Sequence, residues 1–183
     1  IEHKMNCAQT VLSAFCADMG MDRETALKVA SAFGGGMGRT GHRCGAVTGA
    51  YIVLGLSQQI SLDNPRASLD ATYAKVKAFN EKFSASHGSL TCKDLIHCDL
   101  GTPEGLAEMK TKELHISICS GLVADSANIV EEILAPKQTL AVIARPFRRR
   151  RKALALERSR MGWQSRHSRT KRSGGRNHFQ PPF

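Results

Sequence analysis

The sequence predicts an all-α fold, a compact bundle of about six helices spanning residues 1–136. A basic, low-order C-terminal tail follows over residues 137–183. Three observations carry this. Apolar residues recur every three or four positions between glycine and proline breaks. No stretch alternates with period two for long enough to make a strand. The charge also divides sharply. Residues 137–183 hold 14 Lys and Arg and one acid, Glu157, while residues 1–136 hold 12 Lys and Arg and 15 acids. The chain's net charge of +10 therefore describes a slightly acidic body with a strongly basic tail.

The elements follow in order. Asn6 can cap a helix beginning at Cys7, whose apolar stripe is Ala8, Val11, Leu12, Phe15 and Met19, and Gly20 ends it. Asp22 caps the second, with Ala26, Leu27, Ala30 and Phe33 on its apolar face. Gly34, Gly35 and Gly36 stop it. After a glycine-broken turn, Cys44 to Leu56 reads as a third helix, whose small residues Gly45, Gly49 and Ala50 would let a neighbour approach closely. Asp63-Asn64-Pro65 is a turn. Ala67 to Phe83 is amphipathic, with Leu69, Tyr73, Val76 and Phe83 apolar. His87-Gly88-Ser89 breaks it. Thr91 and Asp94 form a capping-box pattern that puts Cys92 at a first helical position. Gly101-Thr102-Pro103 opens a short helix. The last runs from about Ile118 to Leu134, and Pro136 closes it.

The tail contains Arg148-Arg149-Arg150-Arg151-Lys152 and almost no apolar periodicity, a composition expected to stay disordered. It could bind nucleic acid or an anionic surface through phosphate contacts, against the plainer reading of a solvated appendage. Trp163 alone offers little for base stacking. The longest apolar run, Ala46 to Leu56, is too short to span a bilayer, which takes about 20 residues. No signal peptide is read, and a cytoplasmic protein is expected. The chain begins at Ile1 rather than methionine, so an N-terminal segment is expected to be missing.

All six cysteines lie in the body. Cys7, Cys44, Cys92 and Cys119 each fall in the first turn of an expected helix. Free amides and the positive end of the helix dipole favour a thiolate there, and the thiolate is both nucleophile and metal ligand. Four such helix starts at one end of a bundle would make a thiolate-rich pocket. Gly34, Gly35, Gly36 and Gly45 would let backbone approach it, and they are the residues expected beside a cofactor. Cys16 lies on the opposite face of the helix from Cys7 and reads as a buried small hydrophobe. Cys98 reads as an extra thiol. The plain alternative for all six is free buried cysteine in a reducing compartment, since no CxxC pair marks a metal site.

Asn6-Cys7-Ala8-Gln9, SAFGGGMG (Ser31 to Gly38), CGAVTGA (Cys44 to Ala50) with VLGL (Val53 to Leu56), Cys92 and Cys119 together resemble the C_GCAxxG_C_C family of redox-active proteins. Its relatives include the N-terminal part of split-Soret cytochromes. The resemblance covers about Asn6 to Leu134. The family's cysteines fall on Cys7, Cys44, Cys92 and Cys119, while Cys16 and Cys98 lie outside the pattern. It implies a redox or electron-transfer role, with those four as disulfide partners or iron–sulfur ligands. Two departures stand out. The helix that usually precedes the first cysteine is absent. No CxxCH is present, so covalent haem is not expected. The tail matches nothing in the family.

Gly36-Met37-Gly38-Arg39-Thr40-Gly41 fits G-x-G-x-x-G, but a helix rather than a strand precedes it, so it does not read as a dinucleotide site. His42 could serve Cys44 as ligand or proton partner, though an exposed turn histidine is the simpler reading. His97 and His115 have no second histidine at ligand spacing. Two functions follow from these residues. One is a small redox protein in which the four cysteines bind iron–sulfur or zinc, or cycle between dithiol and disulfide. The other is a non-catalytic interaction protein that works through its basic tail. The redox partner, the oligomeric state and any enzymatic activity are not legible in the sequence.

Overall fold

The computed structural model describes residues 5–135; the basic tail, with the expectations attached to it, lies outside the described residues. The described residues form helices α1 (Cys7–Phe15), α2 (Arg23–Ala30), α3 (Gly34–Met37), α4 (Gly45–Leu56), α5 (Pro65–His87), α6 (Cys92–Ile96), α7 (Pro103–Thr111), α8 (Leu114–Ser117) and α9 (Cys119–Leu134), with one 3₁₀ turn at Ser31–Phe33. Among them there is no strand, only an isolated antiparallel bridge between Arg43 and Thr91. The all-α expectation holds.

Local chemistry accounts for most helix starts. The Asn6 carboxamide accepts from the Gln9 amide, and the Gln9 side chain accepts from the Asn6 amide, a complete capping box. Asp22 caps α2, Asn64 caps α5 ahead of Pro65, and Thr102 caps α7 ahead of Pro103. Each satisfies an amide that the first helical turn leaves without a partner. Gly88, in the left-handed region, closes α5.

Four details differ from the sequence reading. Helix α1 ends at Phe15, and a turn carries the chain on to Gly20. Cys44 caps α4 instead of belonging to it. Leu69 and Tyr73 are 41% and 55% exposed, because α5 buries Phe79 and Phe83 instead. Thr91 makes no side-chain cap. The leading amides of α6 donate to loop carbonyls: Cys92 N–H to His42 (2.6 Å) and Lys93 N–H to Gly41 (3.1 Å). Asp94 accepts from Ser89 Oγ instead of completing a box. The backbone of the glycine turn fills the role that a threonine hydroxyl would have filled.

The core runs through α1, α4, α5 and α9. Helix α1 packs most extensively on α4, and α9 lies against both. The α1–α4 approach depends on glycine. A Cβ at Gly49 would sit 2.9 Å from Ala8 O and from Val11 Cβ, so any side chain there would push the helices apart. Phe79 and Phe83 are fully buried and stack with centroids 5.7 Å apart, and Tyr51 meets Phe79 edge-on at 6.0 Å. Burying each such ring contributes about 2 kcal/mol. No helix among the described residues is long and apolar enough to cross a membrane.

Candidate functional site: a chain of buried thiols

Helices α1 and α4 start side by side. A Cβ at Gly45, the first residue of α4, would stand 3.1 Å from the Cβ of Cys7, the first residue of α1. This contact sets Cys7 beside Cys44. Cys119 opens α9, which packs on α1. Cys119 is close enough to Cys7 for its charge to bear on the Cys7 thiol.

The glycine turn brings in the fourth cysteine. Gly35, Gly36, Met37, Gly38 and Arg39 all have positive φ, between 62° and 74°, so α3 is a left-handed turn more than a helix. It doubles the chain back on itself, with Gly38 N–H donating to Gly34 O and His42 N–H to Gly36 O. The turn then meets the loop before α6. Cys44 N–H donates to Leu90 O at 3.0 Å, and Cys92 N–H donates back to His42 O. A Cβ at Gly36 would overlap the Cβ of Cys92 at 2.6 Å. Cys92 thus lies near Cys44 and Cys7.

The electrostatics follow the geometry. Cys7 is raised above the ordinary thiol range first by its hydrogen bond with Cys119, then by burial and by Cys119's charge. Burial pushes Cys44 up to about 11; the Ala46 and Val47 amides pull the other way without closing a cap hydrogen bond, and a charge on Cys7 adds to the rise. Burial also pushes Cys92 up to about 12, reinforced by Cys44, Cys7 and Cys98. The sequence reading expected helix starts to favour thiolates. At Cys44 and Cys92 desolvation outweighs the helix amides, because these two thiols are buried.

Cys98 was set aside in the sequence, yet it joins this chain through Cys92. Its thiol donates to Gly105 O at 3.1 Å, and burial and Glu108 raise it. Five cysteines therefore interact: Cys7, Cys44 and Cys92 with one another, Cys119 with Cys7, and Cys98 with Cys92. Cys16 stands apart, buried in the core with its thiol directed to Ser13 O. All six are free, and Cys7 alone is only half-buried.

Gly34 lies against Asn6 and Gly35 against Arg39 and Leu100, while Gly36 and Gly45 touch the cysteine-bearing residues directly. His42 and His97 are exposed, and His97 ends α6 with a left-handed backbone. His115 lines a cavity of about 590 Å³ that also reaches Cys7, Arg39 and Lys110. Sequence reasoning missed these last two. No local pattern marks them, because the cavity joins residues far apart in the chain.

The fit to a metal was tested on the ligand set itself. Among the described residues no group of three or more His, Cys, Asp or Glu is arranged to hold a metal ion. No step is derived through a cluster.

Fold and site define an all-α protein with a group of interacting free thiols. Residues 5–133 match the family described as "Putative redox-active protein (C_GCAxxG_C_C)", and the chain belongs to that family. No curated protein and no solved structure matches it.

Proposed function

We propose that this domain is a dithiol–disulfide redox protein whose exchanging pair is Cys7 and Cys119. The observation that carries the reading is their juxtaposition: Cys7 and Cys119 open two helices that pack on one another, and Cys119 bears directly on the Cys7 thiol. Two sulfurs in such contact form a disulfide by losing two electrons and two protons to a partner disulfide, with little movement of the helices that hold them. Cys44 and Cys92 stand next in line and can resolve or accept that bond. Gly36 and Gly45 serve by letting the backbone close around the sulfurs. A reducing compartment such as the cytoplasm suits six unpaired thiols.

The test is anaerobic purification, thiol titration before and after mild oxidation, and mass mapping of the linked peptides. A Cys7–Cys119 link formed with the loss of two thiols is expected. Six thiols that resist oxidation, or a link elsewhere, would overturn the assignment. The resemblance also implies an iron–sulfur centre on Cys7, Cys44, Cys92 and Cys119, and a structural zinc on the same soft sulfurs is a further alternative. Iron, sulfide and zinc analysis of the same sample, with a visible spectrum, decides between the two. Cysteines that are inert and metal-free would instead move attention to the tail, residues 137–183, as a nucleic-acid or acidic-partner binding segment.

A further inference from the structure

The cavity beside Cys7 is built differently from the thiol group behind it. Its floor is apolar, with Leu106 and Met109, and its lining includes Arg39, Lys110 and His115 but no carboxylate. Among the described residues none of these three side chains is in an ion pair. Arg39 is the most informative. It holds φ +69°, where glycine would be cheaper by about 1 kcal/mol. Its side chain folds back over the turn, with its Cγ 3.0 Å from where a Gly35 Cβ would be, and Gly35 itself lines the cavity. A bulky residue kept at a strained position is a reason to ask what its side chain does. Here Arg39 joins the lining of a cavity that also reaches Cys7, the least buried cysteine of the six.

We propose that this cavity is the port through which the dithiol meets a small, carboxylate-bearing disulfide. The inference rests on the Cys7–Cys119 reading. The cations take the carboxylates, the apolar floor takes the methylenes, and the ligand's S–S bond is presented to Cys7. Cys7 holds its proton against the charge of Cys119, and Cys119 takes that proton as Cys7 attacks, so the nucleophile is generated at the sulfur that meets the cavity. Cys7 attacks one ligand sulfur. The ligand S–S bond breaks, a mixed disulfide forms, and the departing thiolate takes up a proton. Cys119 then attacks the Cys7 sulfur, breaks the mixed disulfide and releases the second ligand thiol with the remaining proton. The ligand gains two electrons and two protons, and the protein dithiol loses the same.

The experiment oxidises the reduced full chain with dithiodiglycolate, which is anionic, or with cystamine, which is cationic. Cys7–Cys119 formation is followed by quenching and mass mapping. The neutral oxidant diamide serves as reference for both. Relative to that reference, the anionic disulfide should react about tenfold faster than the cationic one. The Arg39→Gly, Lys110→Gln double variant should lose most of this preference while its diamide rate is unchanged. The basic tail is intact in the variant, so the loss reads the cavity alone. Equal rates for the two disulfides, or a preference that survives in the variant, overturn the port. Failure of diamide itself to link Cys7 to Cys119 overturns the pairing and the port together.

Discussion

Gly36 and Cys92 touch backbone to side chain: a Cβ on residue 36 would lie 2.6 Å from the Cys92 Cβ and 2.8 Å from the His42 amide nitrogen. That contact is how a left-handed turn early in the chain fixes a cysteine at the start of α6.

Gly36→Ala should therefore destabilise the domain by about 3 kcal/mol or more, from combined overlap and positive φ. Gly20 is the control. Its φ is +71°, but nothing stands within 4 Å of its Cβ direction, so Gly20→Ala should cost only about 1 kcal/mol. Urea unfolding of both variants measures the difference. Equal losses would show that the Gly36–Cys92 contact contributes nothing.

Asn6 does two things at once. Its oxygen caps α1, and its amide nitrogen donates to Ser31 O at 2.9 Å, tying the Cys7 helix start to the glycine turn. Asn6→Ala should cost about 1–2 kcal/mol, whereas Asp22→Ala, which loses a cap alone, should cost less. The same unfolding experiment ranks them, and the reverse order would deny the tie any role.

The buried thiols make stability depend on pH. Cys44 and Cys92 titrate near 11 and 12 when folded, against 9.0 for an ordinary thiol. Above pH 9 the unfolded chain binds fewer protons than the folded one, so stability falls as pH rises. Each thiol contributes a fall of about 1.4 kcal/mol per pH unit until its folded value is reached. Below pH 8 neither should contribute. Tm recorded from pH 7 to 10.5 checks this, and Cys44→Ala should flatten the upper part of the curve. An unchanged slope in that variant would mean that Cys44 is not buried as a neutral thiol.

Cys119→Ser should redirect any link formed by Cys7 under mild oxidation to Cys44 or Cys92, and Cys16→Ser should leave the Cys7–Cys119 link intact, because Cys16 lies outside the interacting group. Thiol titration with mass mapping reads both. Loss of the Cys7 link in Cys16→Ser, with the fold retained by circular dichroism, would contradict the assignment of the pair.

The sequence by itself determined the helix class, most helix starts and the family. These depend on groups within about four residues of one another: Asn6 with Gln9, Asp22 with Thr25, Asn64 with Ala67, Thr102 with Gly105. Such short-range hydrogen bonds form wherever the chain places the right side chain, so a local pattern reveals them. Tertiary structure decided the rest. It added Phe79 to the expected Phe83 and left Leu69 and Tyr73 out of the core, because periodicity marks an apolar stripe but not which part of a 23-residue helix finds a neighbour. It also brought Cys98 into the thiol group, directed Arg39 to a cavity, and set Cys7 against Cys119 from opposite ends of the domain. Those contacts depend on how closely α1, α4 and α9 pack, and that distance is set by glycines whose missing side chains leave no periodic signal to read.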